Sequence, residues 1–309
     1  MTHSSRPDQA SNMDTLPLTR RRLGQWGLGS LAIAGLLPQL SHAAGKGVAV
    51  LGIDTDPPTL NLGTSTDFAA GDVSAKILEG LIWLDPNYNP RPSLATAWTV
   101  SPDGKTYTFT LRKGVKWHDG QDFSSADVKF TLTEVLAKLH PRAAPVFKNV
   151  GVEVDAPDAS TVVVRLQKPY APFLSQMTVF DAPILPRHLY EGTSIGTNPA
   201  NLKPVGTGPF KFGEWKRGAS IRLVRNDNYW DPEKPYLQEI IFQIIPQGAN
   251  RVPALQTGEI DELLDFYTPK PEIPRILADK SLAPRRGVNI PAIWFMMFNI
   301  NSPVFANKQ

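Results

Sequence analysis

EIIFQIIPQGANRVPALQTGEIDELLDF, Glu239 to Phe266, is the stretch whose pattern decides the fold. Glu239 to Ile245 is almost continuously apolar, which suits a strand in a sheet interior rather than one with a wet face. ANRVPALQTG predicts a short helix ending at Gly258, with Pro253 early enough to be tolerated near the first turn. IDELLDF then reads as a returning strand. Strand, helix and strand in that order form a βαβ unit, which places the chain among α/β proteins.

Upstream of this unit, FKFGEW and SIRLVRN predict an antiparallel hairpin around Arg217-Gly218-Ala219, and GVAVLGID at 47–54 reads as a buried strand. Thr66 to Leu84 places apolar residues at Val73, Ile77, Leu78 and Leu81, the spacing of a helix with one face on a sheet. DPNYNPRPSLATAW is a proline-bound connection. YTFTL alternates, with Tyr107, Phe109 and Leu111 on one side, and predicts a half-buried strand. Two turn signals, Lys113-Gly114 and Asp119-Gly120, flank VKW as a short strand, and FSSADVKFTLTEVL begins a helix with Ser124 and Asp127 as a capping box. Asn149 to Leu166 gives two strands around an APD turn. YAPFLSQM is a short helix or turn, and ILPRHLYEG is a helix ended by Gly192. IWFMMFNI, 293–300, is a strongly apolar strand near the last residue, and a strand with nothing to cover it suggests a fragment.

The 309 residues are 41% hydrophobic, normal for a globular protein, with 29 prolines, which favour many turns over long helices. The absence of cysteine excludes a disulfide framework, a thiol nucleophile and thiolate zinc sites. TRRRLGQ at 19–25, an apolar run from Trp26 to Leu37, and SHA at 41–43 have the anatomy of an export signal cleaved near Ala43. The arginine pair followed by Leu23 fits a twin-arginine signal; a Sec signal is the alternative, because Gly24 stands where a bulky apolar residue is preferred. Losing residues 1–43 would take four arginines and two aspartates from the 32 basic and 29 acidic residues, leaving 28 and 27. No Lys/Arg-rich run remains that would form a nucleic-acid or membrane footprint.

WHDG, Trp117 to Gly120, sets His118 beside Asp119, but adjacent strand residues face opposite ways, so the reading is a structural turn and not a catalytic or metal site. GTGPF, Gly206 to Phe210, lacks the Lys-Ser/Thr of a phosphate loop and reads as a tight turn into the sheet. Tyr229 and Trp230 read as packing. No G-x-S-x-G or H-E-x-x-H is present.

Four long blocks together resemble the extracellular solute-binding proteins of family 5, the oligopeptide-, dipeptide- and nickel-binding receptors of ABC importers. They are KILEGLIWLDPNYNPRPSLATAW at 76–98, DGKTYTFTLRKGVKWHDGQDFSSADVKF at 103–130, VGTGPFKFGEWKRGASIRLVRNDNYW at 205–230 and IIPQGANRVPALQTGEID at 244–261. The resemblance implies a type II periplasmic binding protein-like α/β fold, with a mixed sheet lobe from 44–62 and 177–268. An α+β subdomain would be inserted at 63–176, with a second lobe begun at 269–309 and largely missing. It implies no enzyme activity, no cofactor and no metal ligand in the chain. The partners would be a small solute such as a peptide and the permease at the inner membrane, served by a periplasmic monomer without nucleic acid. A nickel or metal-chelate receptor of the same family, or an exported hydrolase, are the alternatives. The resemblance also carries the ligand-binding candidates. The DPPTLN loop offers Asp56 and Thr59, where Asp56 either holds a ligand ammonium or only opens the turn before Pro57. Thr66, Asp67 and Phe68 head a helix, and either meet the ligand or cap the helix.

Overall fold

The computed structural model of the chain describes residues 47–264 and 266–283, so the expected export signal at 1–43 and the apolar strand at 293–300 lie outside the described residues. Strand β1 (Val48–Ile53) leads to helix α1 (Phe68–Ser74), then to β2 (Ile82–Leu84), β3 (Pro90–Pro92), β4 (Ala95–Val100) and β5 (Thr106–Leu111). Helix α2 (Ser125–Phe130) runs through a π-helical turn at Thr131–Leu136 into α3 (Ala137–Leu139), and α4 (Ala143–Val150) follows. Strands β6 (Val152–Asp158) and β7 (Thr161–Leu166) precede a 3-10 turn at Ala171–Gln176 and helix α5 (Arg187–Tyr190). The hairpin β8 (Phe210–Lys216) and β9 (Ser220–Arg225) comes next, then β10 (Glu239–Ile244), α6 (Gly248–Thr257), β11 (Glu262–Leu263) and α7 (Ile273–Ala278).

Two larger sheets result. The first has the order β11-β1-β10-β9-β8, with β1 parallel to both β10 and β11 and the hairpin antiparallel beyond them. The βαβ reading therefore holds: α6 carries the chain from β10 across β1 to β11. Alternation sorts the side chains. Ile53, Ile221, Leu223, Ile240, Phe242 and Ile244 share one face with Val73 and Ile77, while Val50, Ile241 and Ile245 meet Ala254 and Ile260 on the other. The second sheet, β4-β5-β7-β6, is wholly antiparallel and lies in the chain between β1 and β8. Tyr107, Phe109 and Leu111 point into its core, packed with Val162, Val164 and Phe173.

Several expectations need correction. The helix predicted over Thr66–Leu84 is only α1, although Val73, Ile77, Leu78 and Leu81 are all buried. The carbonyls of Lys76 and Ile77, which a longer helix would use internally, instead accept the N–H groups of Phe210 (3.0 Å) and Gly208 (2.9 Å). The connection at 85–98 contains β3 and most of β4; β3 tolerates its prolines because it pairs only with β2. The turn between β6 and β7 falls at Ala159-Ser160 rather than at APD. VKW is no strand: a single bridge joins Lys116 to Asp122. Pro253 is the sixth residue of α6, inside it, leaving the Ala249 carbonyl without its intrahelical donor; Gly258 then ends the helix at φ +75°.

The GTGPF loop joins the two sheets. An added Cβ at Gly206 would lie 1.8 Å from the Ile77 carbonyl oxygen. His118 bolts this loop from the other side. Its backbone N–H donates to the Gly206 carbonyl, its Nε2–H donates to the Gly208 carbonyl (2.9 Å), and its Nδ1 accepts from the Gly206 N–H (3.2 Å). Only the neutral ring can do both, and burial depresses its pKa to about 4. Asp119 turns away to His188 Nε2 at 2.7 Å, so WHDG is a turn held by two separate anchors.

Below the loop lies Glu79, which sequence reasoning passed over. Its carboxylate accepts from Thr207 Oγ1 (2.8 Å), Tyr229 Oη (2.8 Å) and Trp230 Nε1 (3.1 Å), and Arg112 stacks on the Trp230 ring at 3.8 Å. Tyr229 and Trp230 are thus packing residues with a polar duty. Burial pushes the Glu79 carboxyl up to about 7, against the three donors and Arg112, which pull it down.

Two outcomes follow. Gly206→Ala should lower the urea midpoint by an amount equivalent to about 1–3 kcal/mol; an unchanged midpoint would contradict the contact. A carboxyl whose folded pKa is raised holds its proton more tightly in the folded state, so its contribution to stability is lost as pH rises from 4.5 to about 7. His118 and His140, both depressed to about 4, act in the opposite sense as pH falls. The Glu79 part is isolated by comparison with Glu79→Gln. The native-minus-variant difference in unfolding free energy should fall by roughly 3 kcal/mol from pH 4.5 to pH 8. A pH-independent difference would refute it.

Candidate functional site

In open α/β sheets, the crevice outside the carboxyl ends of the parallel strands is where a ligand is least obstructed. Here those ends belong to β1, β10 and β11. The chain leaving β1 passes Asp54 and Asp56 and returns at the head of α1; the chain leaving β11 emerges as Leu264, Phe266 and Tyr267.

The structure brings three of the sequence candidates together. Asp67 is the N-cap of α1, its Oδ1 accepting from Ala70 N at 2.8 Å. That satisfies one of the free N–H groups of the first turn, so the capping reading holds. Half-buried Thr66 precedes it. Phe68 is 56% exposed, and its ring lies 4.1 Å from that of Phe266, itself 50% exposed, with 28° between the planes. Two large apolar rings stacked on one another and open to solvent form a flat platform.

The other two candidates stand elsewhere. Asp56 accepts from Trp215 Nε1 (2.7 Å) and from Gly218 N (3.0 Å), with Arg217 at 3.8 Å, so its carboxylate holds the turn of the β8–β9 hairpin. Thr59 donates to the Asn201 carbonyl (3.2 Å) and accepts from Asn61 N (3.1 Å), which ties its hydroxyl to the 198–201 loop.

Sequence reasoning did not find Phe266, Tyr267 or Asp72. Buried Tyr267 donates its hydroxyl to Asp72 Oδ2, and edges against Phe266 at 5.4 Å. Burial raises the Asp72 carboxyl; the Tyr267 hydrogen bond and Lys76 oppose this, while the nearby charges of Asp67 and Asp54 reinforce it. Lys76 is lowered by burial, with Asp72 and Glu262 countering. Arg251 holds the chain beyond β11, donating to the carbonyls of Ile245 (2.8 Å), Pro246 (2.8 Å) and Tyr267 (2.9 Å). A usable signal existed: the carboxyl-end rule, applied to the second strand of the βαβ unit, leads to Phe266. The site thus joins an aromatic platform to a local excess of carboxylates. Such a surface can cover an apolar group and attract a cation.

Comparison with known proteins agrees with this architecture. The family described as bacterial extracellular solute-binding proteins, family 5 Middle, matches residues 89–309. The chain is similar to the dipeptide-binding protein of Escherichia coli (strain K12), with 34% identity over 210 residues, 62% of this chain and 39% of that protein. Among solved structures it is similar to the periplasmic binding protein DppA from Helicobacter pylori in complex with the peptide STSA. That match has TM-score 0.66 and 30% identity, and covers 76% of this chain and 49% of that one. It is also similar to NikZ from Campylobacter jejuni in complex with Ni(L-His), at TM-score 0.66 and 28% identity over 76% of this chain and 46% of that one. The chain thus spans less than half the length of each of these relatives.

Proposed function

The chain belongs to the bacterial extracellular solute-binding proteins of family 5, and we propose that it serves as the receptor of an ABC importer for a peptide or similar small solute. On this reading it works as a monomer in the periplasm and passes the solute, chemically unchanged, to the permease. The sheet lobe is taken as 44–62 with 177–268, and 63–176 as its insert, of which α1 docks back on the sheet. Ligand capture would draw on Thr66, Asp67 and Phe68, with Asp56 and Thr59 shaping the loop behind them. The observation that carries the proposal is the exposed Phe68–Phe266 stack beside Asp67 and Asp72, at the strand ends of a fold shared with a peptide-bound relative. Rings left in water at this cost suit a surface that is covered when a ligand arrives. No helix among the described residues is long and apolar enough to cross a membrane.

A second reading, a metal-chelate receptor, is favoured by the likeness to NikZ with Ni(L-His). No group of three or more His, Cys, Asp or Glu among the described residues is placed to hold a metal ion, and on this reading the metal enters within a chelator.

The test is isothermal calorimetry of the natural full-length gene product with a panel of dipeptides and longer peptides, followed by mass spectrometry of the recovered solute. Binding should weaken about tenfold or more in Phe68→Ala and in Phe266→Ala, with unchanged circular dichroism and with the peptide recovered intact. Peptide turnover, or affinity unaltered in both variants, would reject the proposal. Tight binding of a nickel chelate with none of any peptide would transfer the assignment to the second reading.

A further inference from the structure

The aromatic surface at the head of α1 continues along that helix. Gly71 follows Phe68 by three residues, so the two positions share one face of α1, with about 5–6 Å between their Cβ directions. Gly71 carries no side chain, and the ring of Phe180 takes the space above it. Two of its ring carbons lie 3.5 and 3.6 Å from where a Cβ would stand. A Cβ bond in a helix leans toward the N-terminus, which carries the covering ring toward the turn that bears Phe68. Phe180 is 49% exposed, close to the 56% of Phe68 and the 50% of Phe266. Three half-open rings thus gather about one face of α1.

The turn beneath Phe180 is fixed by backbone bonds. Ala182 N–H donates to the Thr178 carbonyl at 2.7 Å, and Ile82 N–H donates to the Met177 carbonyl at 3.1 Å. The charges beside the ring are engaged with the chain: Arg142 donates to the Phe180 carbonyl at 3.3 Å and pairs with Asp181 at 3.2 Å. What this end of the surface offers a solute is therefore the ring. The Phe68–Phe266 stack can cover one apolar side chain, and a further ring along the helix calls for a second. In an extended peptide, side chains on the same side recur every second residue, roughly 7 Å apart, which is close to the spacing along α1.

We propose that Phe180 is a second apolar subsite, and that the solute is an extended peptide with two apolar side chains two residues apart, one on the Phe68–Phe266 stack and the other on Phe180. The inference rests on the peptide-receptor reading of the same surface and narrows it to a class of sequence.

Calorimetry of the natural full-length gene product with three pentapeptides tests it: Ala-Leu-Ala-Leu-Ala, Ala-Leu-Ala-Ala-Ala and Ala-Leu-Leu-Ala-Ala. The first should bind about tenfold tighter than the second, the gain from covering one more leucine, and adjacent leucines should give no such gain. In Phe180→Ala the advantage of the first peptide should vanish while the affinity for the single-leucine peptide stays as it was. An advantage that survives Phe180→Ala, as when the chain itself covers this ring, would overturn the inference. So would an equal gain from adjacent leucines, no gain in the native protein, or a loss shared equally by all three peptides. Each of these leaves the peptide-receptor reading standing, whereas failure of every peptide to bind the native protein removes both.

Discussion

The contact between the Ile77 carbonyl and the backbone of the GTGPF loop constrains the rest of the structure. It exists because residue 206 has no side chain to keep the two strands of backbone apart. Once formed, it ends α1 at Ser74, since carbonyls given to Gly208 and Phe210 are lost to the helix. It also seats Thr207 over Glu79 and sets both ring nitrogens of His118 on loop atoms. One close approach thus registers the five-stranded sheet against the four-stranded one. Hydrogen bonds make this join, and Val205 and Trp230 pack beside it on the core of the four-stranded sheet.

With that join fixed, the polar chemistry of the molecule sorts into two kinds. Glu79, His118, Asp56 and Thr59 have their hydrogen-bonding capacity absorbed by neighbouring chain and act on architecture. The head of α1 and the exit from β11 differ, because their aromatic rings face solvent while their carboxylates crowd one another. The contrast between satisfied and unsatisfied surface, more than any single residue, is what sets the carboxyl edge of the sheet apart.

How much of this could be read in advance depended on the range of the interaction. Alternation in YTFTL and the apolar run of Glu239–Ile245 are local, and both strands stand where the pattern put them. The Asp127 carboxylate reaches back to Ser124 N at 2.9 Å, three residues away, as the capping box implied. The end of α1 was not legible, because it is set by a loop more than a hundred residues downstream. Glu79 was missed for the same reason: its partners stand 128 to 151 residues along the chain. Phe68 was chosen by resemblance, and its stacking partner became visible only when β11 was laid beside β1. Asp56 shows the reverse difficulty. A carboxylate at a strand's end has the composition of a ligand contact, and only the folded position of Trp215 reveals that it is already engaged.

The shortness of β11 has a mechanical side. Two residues of ladder give Phe266 almost no purchase on the sheet, and its place is kept instead by the guanidinium fork of Arg251, which grips three carbonyls at once. Phe68, in contrast, rides on a helix sunk into the core. A load on the pair therefore travels by two routes, through the core-seated helix under Phe68 and through the Arg251 and Tyr267 hydrogen bonds that flank Phe266.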